Sequence, residues 1–432
     1  MSTYYSQIAF VCEDANALRA WYSRLFGFLP SGRTIYAGKL STRVMGIEDV
    51  NTRCYWSLDG NESKFQLEFF DFRSPQRLPR PEPGKAAMPG YNRLGIFTWQ
   101  FQACLDALSD DGRLERIDGE NGQRIAYCTD PEGNSLEVYE RDPLPEAEWT
   151  CRARRSVVRL IRLNTHGADS VLRSWEDALG LEPRTMPKWL TDRQSLGLDG
   201  LSFPSYLQGG GLVMEICETR EAFPGGERPP LYQHGLMNFA INTASRAEWD
   251  GVFNKALQSG FRANGKALEA GIFKVMYVND PMGNSIELLY PRTFAYPLTG
   301  FLPSEAVAEE SISVGADVPA VWKALAEVLP KGLLVGSENG VEEASESAHV
   351  VARESGHYLH YRLRRPFAPG YSAVIRLDSQ GETVRVSWQA VLSAPVPLIR
   401  ALVALAIRCS VRAKLGRVKK IAESAQTSSI AL

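Results

Sequence analysis

Residues 129–140 read TDPEGNSLEVYE, and residues 279–290 read NDPMGNSIELLY. Asp-Pro-x-Gly-Asn carries what a tight turn needs: a carboxylate at Asp130 or Asp280 to accept from the turn backbone, a proline that presets φ, and a glycine, Gly133 or Gly283, that tolerates positive φ. The residues after each turn read as a strand. Side chains alternate faces along a strand, so Leu136 and Val138 point one way while Glu137 points the other, and Ile286 and Leu288 likewise oppose Glu287. Each glutamate is therefore aimed away from the side its apolar neighbours bury.

The repetition is longer than the motif. A short strand and an amphipathic helix ending in glycine occur at 7–28 (QIAFVCEDANALRAWYSRLFGF) and at 160–181 (LIRLNTHGADSVLRSWEDALGL), with Gly27 and Gly180 placed as helix C-caps. FQLEFF at 65–70 and LVMEIC at 212–217 follow, each setting a glutamate, Glu68 or Glu215, among apolar residues. Strand, helix and strands then begin again at 92–108 and at 236–257, running on to Glu137 and Glu287. The offsets are 153 (Gly27 to Gly180), 147 (Glu68 to Glu215), 145 (Arg93 to Asn238) and 150 (Glu137 to Glu287), so one plan is written twice. This order predicts an α+β fold of four βαβββ modules in two pairs, divided by the polar stretch LPEAEWTCRARRS at 144–156.

A chain of 432 residues exceeds one ordinary core. Lys and Arg number 48 against 50 Asp and Glu, a net charge of −2 with no basic run suited to a phosphate backbone, which argues against nucleic acid as a partner. The 7 cysteines are scattered and lack CxxC spacing, pointing to a reducing, cytoplasmic setting. The opening MSTYYSQIAF has no basic segment followed by an apolar run, so no secretion signal is expected. The longest apolar run, LVALAI at 402–407, is far short of the roughly 20 residues that span a bilayer, so no membrane partner is expected either.

Four βαβββ units, a DPxGNxxE strand closing each pair and helix ends of the LGF type resemble the vicinal oxygen chelate superfamily, the group of glyoxalases, bleomycin-resistance proteins and extradiol dioxygenases. The resemblance covers about residues 5–292. It implies that each pair of modules curls eight strands into an open cup, giving glyoxalase-like domains at 1–143 and 155–293, and that inward residues on the first and last strand of each module converge. In the first cup these are Gln7, Glu68, Arg93 and Glu137; in the second they are Leu160, Glu215, Asn238 and Glu287. Gln7, Glu68 and Glu137 match the metal-ligand pattern of glyoxalase I. An arginine stays protonated and offers no lone pair, so Arg93 is expected to pair with Glu68 or Glu137 and stand in the cation's place. Leu160 removes a ligand from the second cup. No cofactor is therefore expected, with a divalent metal on Gln7, Glu68 and Glu137 as the alternative. Arg93, Glu137, Glu68, Gln7 and Asn238 are read as substrate-binding residues. Glu215 and Glu287, with no cationic partner at the aligned positions, are read as general bases whose burial would raise their pKa.

From about 303 the modules stop. A strand and a helix at 309–328 that starts at Asp317-Val318-Pro319, four alternating strands and a long closing helix at 397–424 resemble the START-like or polyketide cyclase (SRPBCC) superfamily. That resemblance implies a helix-grip antiparallel sheet wrapped on the C-terminal helix over 303–428. HYLHY at 357–361 puts His357 and His360 on opposite faces of a strand, so they are not joint ligands, and His166 and His234 are read as loop residues. Both resemblances imply small, partly apolar ligands bearing carbonyl or phenolic oxygens. The expected function is a lyase, isomerase or cyclase acting by proton transfer, in a monomer or homodimer. The alternatives are sequestration of a hydrophobic compound, as bleomycin-resistance proteins do, and a degenerate relative of a metal-dependent glyoxalase or dioxygenase.

Overall fold

Each of the four modules folds as a strand, a helix and further strands. The first runs β1 (Tyr4–Val11), α1 (Ala15–Phe26), β2 (Leu29–Ala37), α2 (Gly38–Met45), β3 (Asn51–Leu58) and β4 (Gln66–Ser74). The second runs β5 (Gly90–Thr98), α3 (Phe101–Asp110), β6 (Leu114–Asp118), β7 (Ile125–Thr129) and β8 (Ser135–Tyr139). The third runs β9 (Ser156–Thr165), α4 (Ala168–Leu179), β10 (Glu182–Pro183), α5 (Lys188–Thr191), β11 (Ser205–Gly209) and β12 (Leu212–Glu218). The fourth runs β13 (Gly235–Asn242), α6 (Arg246–Gln258), β14 (Arg262–Ala263), β15 (Leu268–Glu269), β16 (Phe273–Asn279) and β17 (Ser285–Pro291). Gly27 (φ 73°) and Gly180 (φ 67°) cap α1 and α4 in the left-handed region, as their place after each helix requires.

This computed structural model describes residues 3–60, 65–80, 87–147, 156–193, 201–202, 204–223, 230–271, 273–292, 300–301, 306–330, 348–354, 356–363, 371–392 and 397–430. The chain divides into two units, one of residues 1–150 and 155–302, the other of 303–432 with 151–154. Much of the expected linker at 144–156, residues 148–155, lies outside the described residues. Among the described residues no helix is long and apolar enough to cross a membrane.

The strands do not pair within each half of the sequence. One sheet has the order β14-β16-β17-β13-β1-β4-β3-β2, with β15 beside β16, and the other has the order β10-β11-β12-β9-β5-β8-β7-β6. One cup is thus built from the first and fourth modules and the other from the second and third. This corrects the expectation that 1–143 and 155–293 each close on themselves. The joins are antiparallel: β1 to β13 (Tyr5 opposite Ile241) and β5 to β9 (Leu94 opposite Ile161). Within each module the first and last strands run parallel, which sets Glu68 beside Ala9, Glu137 beside Gly95, Glu215 beside Arg162 and Glu287 beside Ala240.

Alternation decides what each strand buries. On β1, Ile8 and Phe10 pack under α1 with Leu18, Tyr22 and Phe26, while Ala9 and Val11 join the apolar lining of the cup with Trp56 and Phe70. The helix layer in turn ties each half of the chain together through the repeated turns. Asp130 accepts from the Asn134 backbone (2.9 Å) and side chain (2.6 Å) and from the Tyr22 hydroxyl of α1 (3.1 Å). Asp280 accepts from the same two groups of Asn284 (2.7 Å each) and from the Trp175 indole of α4 (2.9 Å). The aspartate that closes each turn therefore clasps the helix of the preceding module.

In the second unit β18 (Ala306–Val314), α7 (Val318–Val328), β19 (Ala348–Glu354), β20 (Tyr358–Leu363), β21 (Ser372–Gln380), β22 (Thr383–Leu392) and α8 (Pro397–Ile430) follow one another. The sheet order is β18-β22-β21-β20-β19, antiparallel throughout. Val411, Leu415, Val418 and Ala422 form one stripe of α8 and share a core with Leu359, Ile375 and the fully buried Trp388. Asp317 caps α7, accepting from the Ala320 amide at 2.8 Å.

Because each cup borrows half its strands from the other half of the chain, the fragment 1–147 expressed alone is expected to fail to form a cooperatively melting monomer, and co-expression with 156–302 to restore a 1:1 complex. A stable, monomeric 1–147 with a sharp thermal transition would show that the sheets close within each half.

Candidate functional site

The cup of the first and fourth modules brings together Gln7 from β1, Glu68 from β4, Asn238 from β13 and Glu287 from β17, respectively 4%, 3%, 1% and 7% exposed. Trp56 donates its indole N–H to Glu68 Oε1 at 2.8 Å, Cys54 Sγ lies 4.0 Å from the same oxygen, and the Tyr277 hydroxyl donates to Glu287. Gln7 Nε2 donates to Gln66 Oε1 at 2.5 Å, which leaves Gln7 Oε1 without a partner; Asn238 Oδ1 is likewise buried and unpartnered. The walls are apolar, with Val44, Met45, Phe70, Met237 and Leu289, and Phe301 is fully buried among them.

Two carboxylates in such a wall ionise with difficulty. Burial pushes Glu287 up to about 7 against the hydrogen bond from Tyr277, and burial together with the charge of Glu287 pushes Glu68 well above the carboxylate range against the bond from Trp56. Among the described residues no cation is among the charges acting on either. The two interact strongly enough to titrate as a pair.

The cup of the second and third modules is electrostatically the reverse. Glu137 Oε1 accepts from Arg93 Nη1 (3.0 Å) and Arg162 Nη2 (3.2 Å), and its Oε2 from Arg193 Nη1 (2.8 Å) and the Tyr139 hydroxyl (2.7 Å). Glu215 accepts from Arg162 Nε (2.5 Å), the Tyr206 hydroxyl (2.9 Å) and Arg193 Nη2. Burial alone would raise both carboxyls, but Arg193, Arg162 and Arg93 hold Glu137 well below the ordinary range, and Arg162 and Arg193 hold Glu215 below it. Three guanidinium groups already face the two carboxylates, so a further cation would meet net positive charge here.

Several sequence expectations change accordingly. Arg93 does pair with Glu137, but Glu68 lies in the other cup, so Gln7, Glu68 and Glu137 do not share one metal position, and Arg93 does not block the cup that holds Gln7 and Glu68. Glu215 is not an uncompensated base, because Arg162 and Arg193 neutralise it. The Arg93–Glu137 pair is closed into the same ion network and is not an open clamp for substrate. Arg162 was legible: two arginines in a strand of apolar residues, Arg159 and Arg162 on β9, must be ion-paired if the strand is buried, and β9 is buried at all 10 positions. Arg159 accordingly pairs with Asp142 at 2.8 Å. Arg193, in an irregular segment after α5, offers no periodic signal. The loop histidines are engaged: His234 lies 2.7 Å from Glu132 and His166 Nε2 lies 2.8 Å from the Glu221 carbonyl oxygen, while in the second unit His360 Nε2 is 2.7 Å from Ser372 Oγ.

No protein-family model matches the chain, and no curated protein sequence matches it. Solved structures similar to it include glyoxalase I from Zea mays, at 14% identity and a TM-score of 0.47 over 67% of this chain and 92% of that one. A glyoxalase family protein from Bacillus cereus aligns at 19% identity and a TM-score of 0.28, covering 31% of this chain and 91% of its own. Lactoylglutathione lyase from Agrobacterium tumefaciens aligns at 16% identity and a TM-score of 0.22, covering 31% and 92%.

Removing one member of a buried ion network strands its partners. Arg162→Met, which leaves Glu215 and Glu137 each one cation short, is expected to cost about 3–5 kcal/mol in denaturant unfolding. Arg93→Met is expected to cost less, because Glu137 keeps Arg162 and Arg193. Since both glutamates titrate below the ordinary range, the network's contribution is present through neutral pH and is lost only as the pH falls through their lowered values. Wild-type stability in the Arg162→Met protein would mean the network is not buried as described.

Proposed function

We propose that the chain is a small-molecule enzyme that works by proton transfer in the cup of the first and fourth modules, with the other cup its structural counterpart. The observation that carries this reading is the pair of uncompensated buried carboxylates, Glu68 and Glu287, in one apolar cup. Neighbouring carboxyls that ionise in turn supply a base and an acid side by side near neutral pH. Glu287 is the base, oriented by Tyr277; Glu68, anchored by Trp56 and raised further, holds the proton. The apolar wall suits a partly apolar carbonyl or phenolic compound, and the reaction is of the lyase, isomerase or cyclase type. The resemblance of the four modules to the vicinal oxygen chelate group supports this reading. The strand, helix, four strands and long helix of the second unit support its assignment as a START-like domain, a fold suited to similar ligands.

The vicinal oxygen chelate group also implies a divalent metal. Among the described residues no cluster of three or more His, Cys, Asp or Glu is placed to hold one. The set in this cup is instead two carboxyls with two amide oxygens, Gln7 Oε1 and Asn238 Oδ1, that are buried and lack partners, and these four oxygen donors fit a hard cation only with both carboxyls ionised, the ion then replacing the proton on Glu68. When bound, such an ion would polarise a substrate carbonyl. The protein's own part is to hold the base at Glu287, exclude water with Phe70, Met237 and Phe301, and set the carboxylates through Trp56 and Tyr277.

The test is deuterium wash-in next to the carbonyl across a panel of aryl and alkyl ketones and α-hydroxyketones, followed by mass spectrometry. Glu287→Gln is expected to lower exchange at least about 100-fold, and Glu215→Gln to leave it unchanged. Exchange should rise with pH through about 7 as Glu287 ionises. Stability should move the other way: the folded state holds the Glu287 proton more tightly than the unfolded chain, so its contribution is full below the ordinary carboxylate value and is lost as the pH rises through about 7, and Glu287→Gln should flatten that loss. Full exchange in Glu287→Gln would remove Glu287 as the base, and loss of exchange in a folded Glu215→Gln protein would move the chemistry to the other cup.

A further inference from the structure

A cleft of about 1320 Å³ is lined by both copies of the repeated turn: Gly133, Asn134 and Ser135 on one side, Asn279 and Ser285 on the other. Met45, Ile47 and Met237, from the apolar cluster that walls the first cup, also line it, as do Arg93 and Tyr127 of the other cup, so the cleft borders both. Pockets of about 300–1,000 Å³ suffice for a compact small molecule, so this one has room for an extended ligand.

Its charges and unmatched atoms indicate what kind. Arg80, Arg93, Arg116 and Arg262 line it against Glu48 and Glu115. Arg93 is committed to Glu137 and Arg116 shares Asp118 at 3.1 Å; of the other two, Arg80 also feels the charges of Asp130 and Glu132, and Arg262 is exposed. Arg80 Nη2 donates to Asn134 Oδ1 at 2.6 Å, yet its buried Nε meets no acceptor. Ser285 Oγ, on a residue only 4% exposed, and Asn92 Oδ1 are also buried and lack a partner, and both residues line the same cleft. Buried polar groups are normally satisfied, and three unmatched ones on one cleft beside the Arg80 and Arg262 guanidinium groups describe a site that a ligand completes.

We infer that this cleft holds the anionic tail of an elongated, partly apolar substrate, a carboxylate or phosphate gripped by Arg80 and Arg262, while the reacting end enters the cup at Glu287. The direction in which the ligand runs rests on the function proposed above; the anion site does not.

The test uses the full chain and titration calorimetry with straight-chain dicarboxylates, the matching diamides and alkyl phosphates. The acids or the phosphates are expected to bind and the diamides not to. Arg262→Gln, a change at an exposed position, and Arg80→Gln are each expected to weaken anion binding about tenfold. Tighter binding of either the dicarboxylate or the phosphate supports the site and identifies the head group. Diamides that bind as well as the acids, or anion affinity unaltered in both arginine variants, would overturn it. Arginine-dependent anion binding in a protein that exchanges no ketone proton would sink the proposed chemistry and leave this site standing.

Discussion

A curled four-stranded module leaves the backbone of its first strand unpaired along one edge, and the way that edge is closed governs the rest of the structure. Unpaired N–H and C=O groups at a sheet edge are costly when buried, so the first strands must join in pairs. Here β1 takes β13 and β5 takes β9. The first module is thereby joined to the last, and the two middle modules to each other. Every consequence for chemistry descends from this pairing, because it decides which glutamates share an interior.

With Glu68 facing Glu287, the outer pair of modules encloses two carboxylates, two amide oxygens without partners and, among the described residues, no cation. With Glu137 facing Glu215, the inner pair also encloses two carboxylates but fills the space with Arg93, Arg162 and Arg193 and adds the hydroxyls of Tyr139 and Tyr206. One scaffold thus carries opposite electrostatics. Where burial goes unopposed by positive charge the carboxyl pKa rises into the range of acid–base work, and where guanidinium groups surround it the same burial strengthens a structural ion network.

The two halves of the sequence are nevertheless bound to themselves, on the other face of the sheets. Asp130 and Asp280 each close a turn and then reach the helix of the preceding module, one through Tyr22 and the other through Trp175. Sheets join across the halves and helices join within them, so the four modules interlock as a single unit rather than as two beads. The same turns border the large cleft, which gives the twelve repeated residues a part in folding and a place on its wall.

The modules, their order and the inward aim of each glutamate were legible in the sequence, because strand alternation and turn chemistry are local: Leu136 and Val138 against Glu137 require only neighbouring residues, and Gly27 and Gly180 mark helix ends by their own φ. That Arg93 would pair with a glutamate was legible too, though Glu68 and Glu137 were both open to it, and the structure chose Glu137, which lies in the same module. Which cup each module would enter was not. All four first strands present similar edges, and alternation reports the face a side chain takes but not the strand that lies alongside. The pairing of Glu68 with Glu287 and the capture of Glu215 by Arg162 and Arg193 were therefore decided by tertiary structure alone, because these contacts join residues brought together only when β1 meets β13 and β5 meets β9.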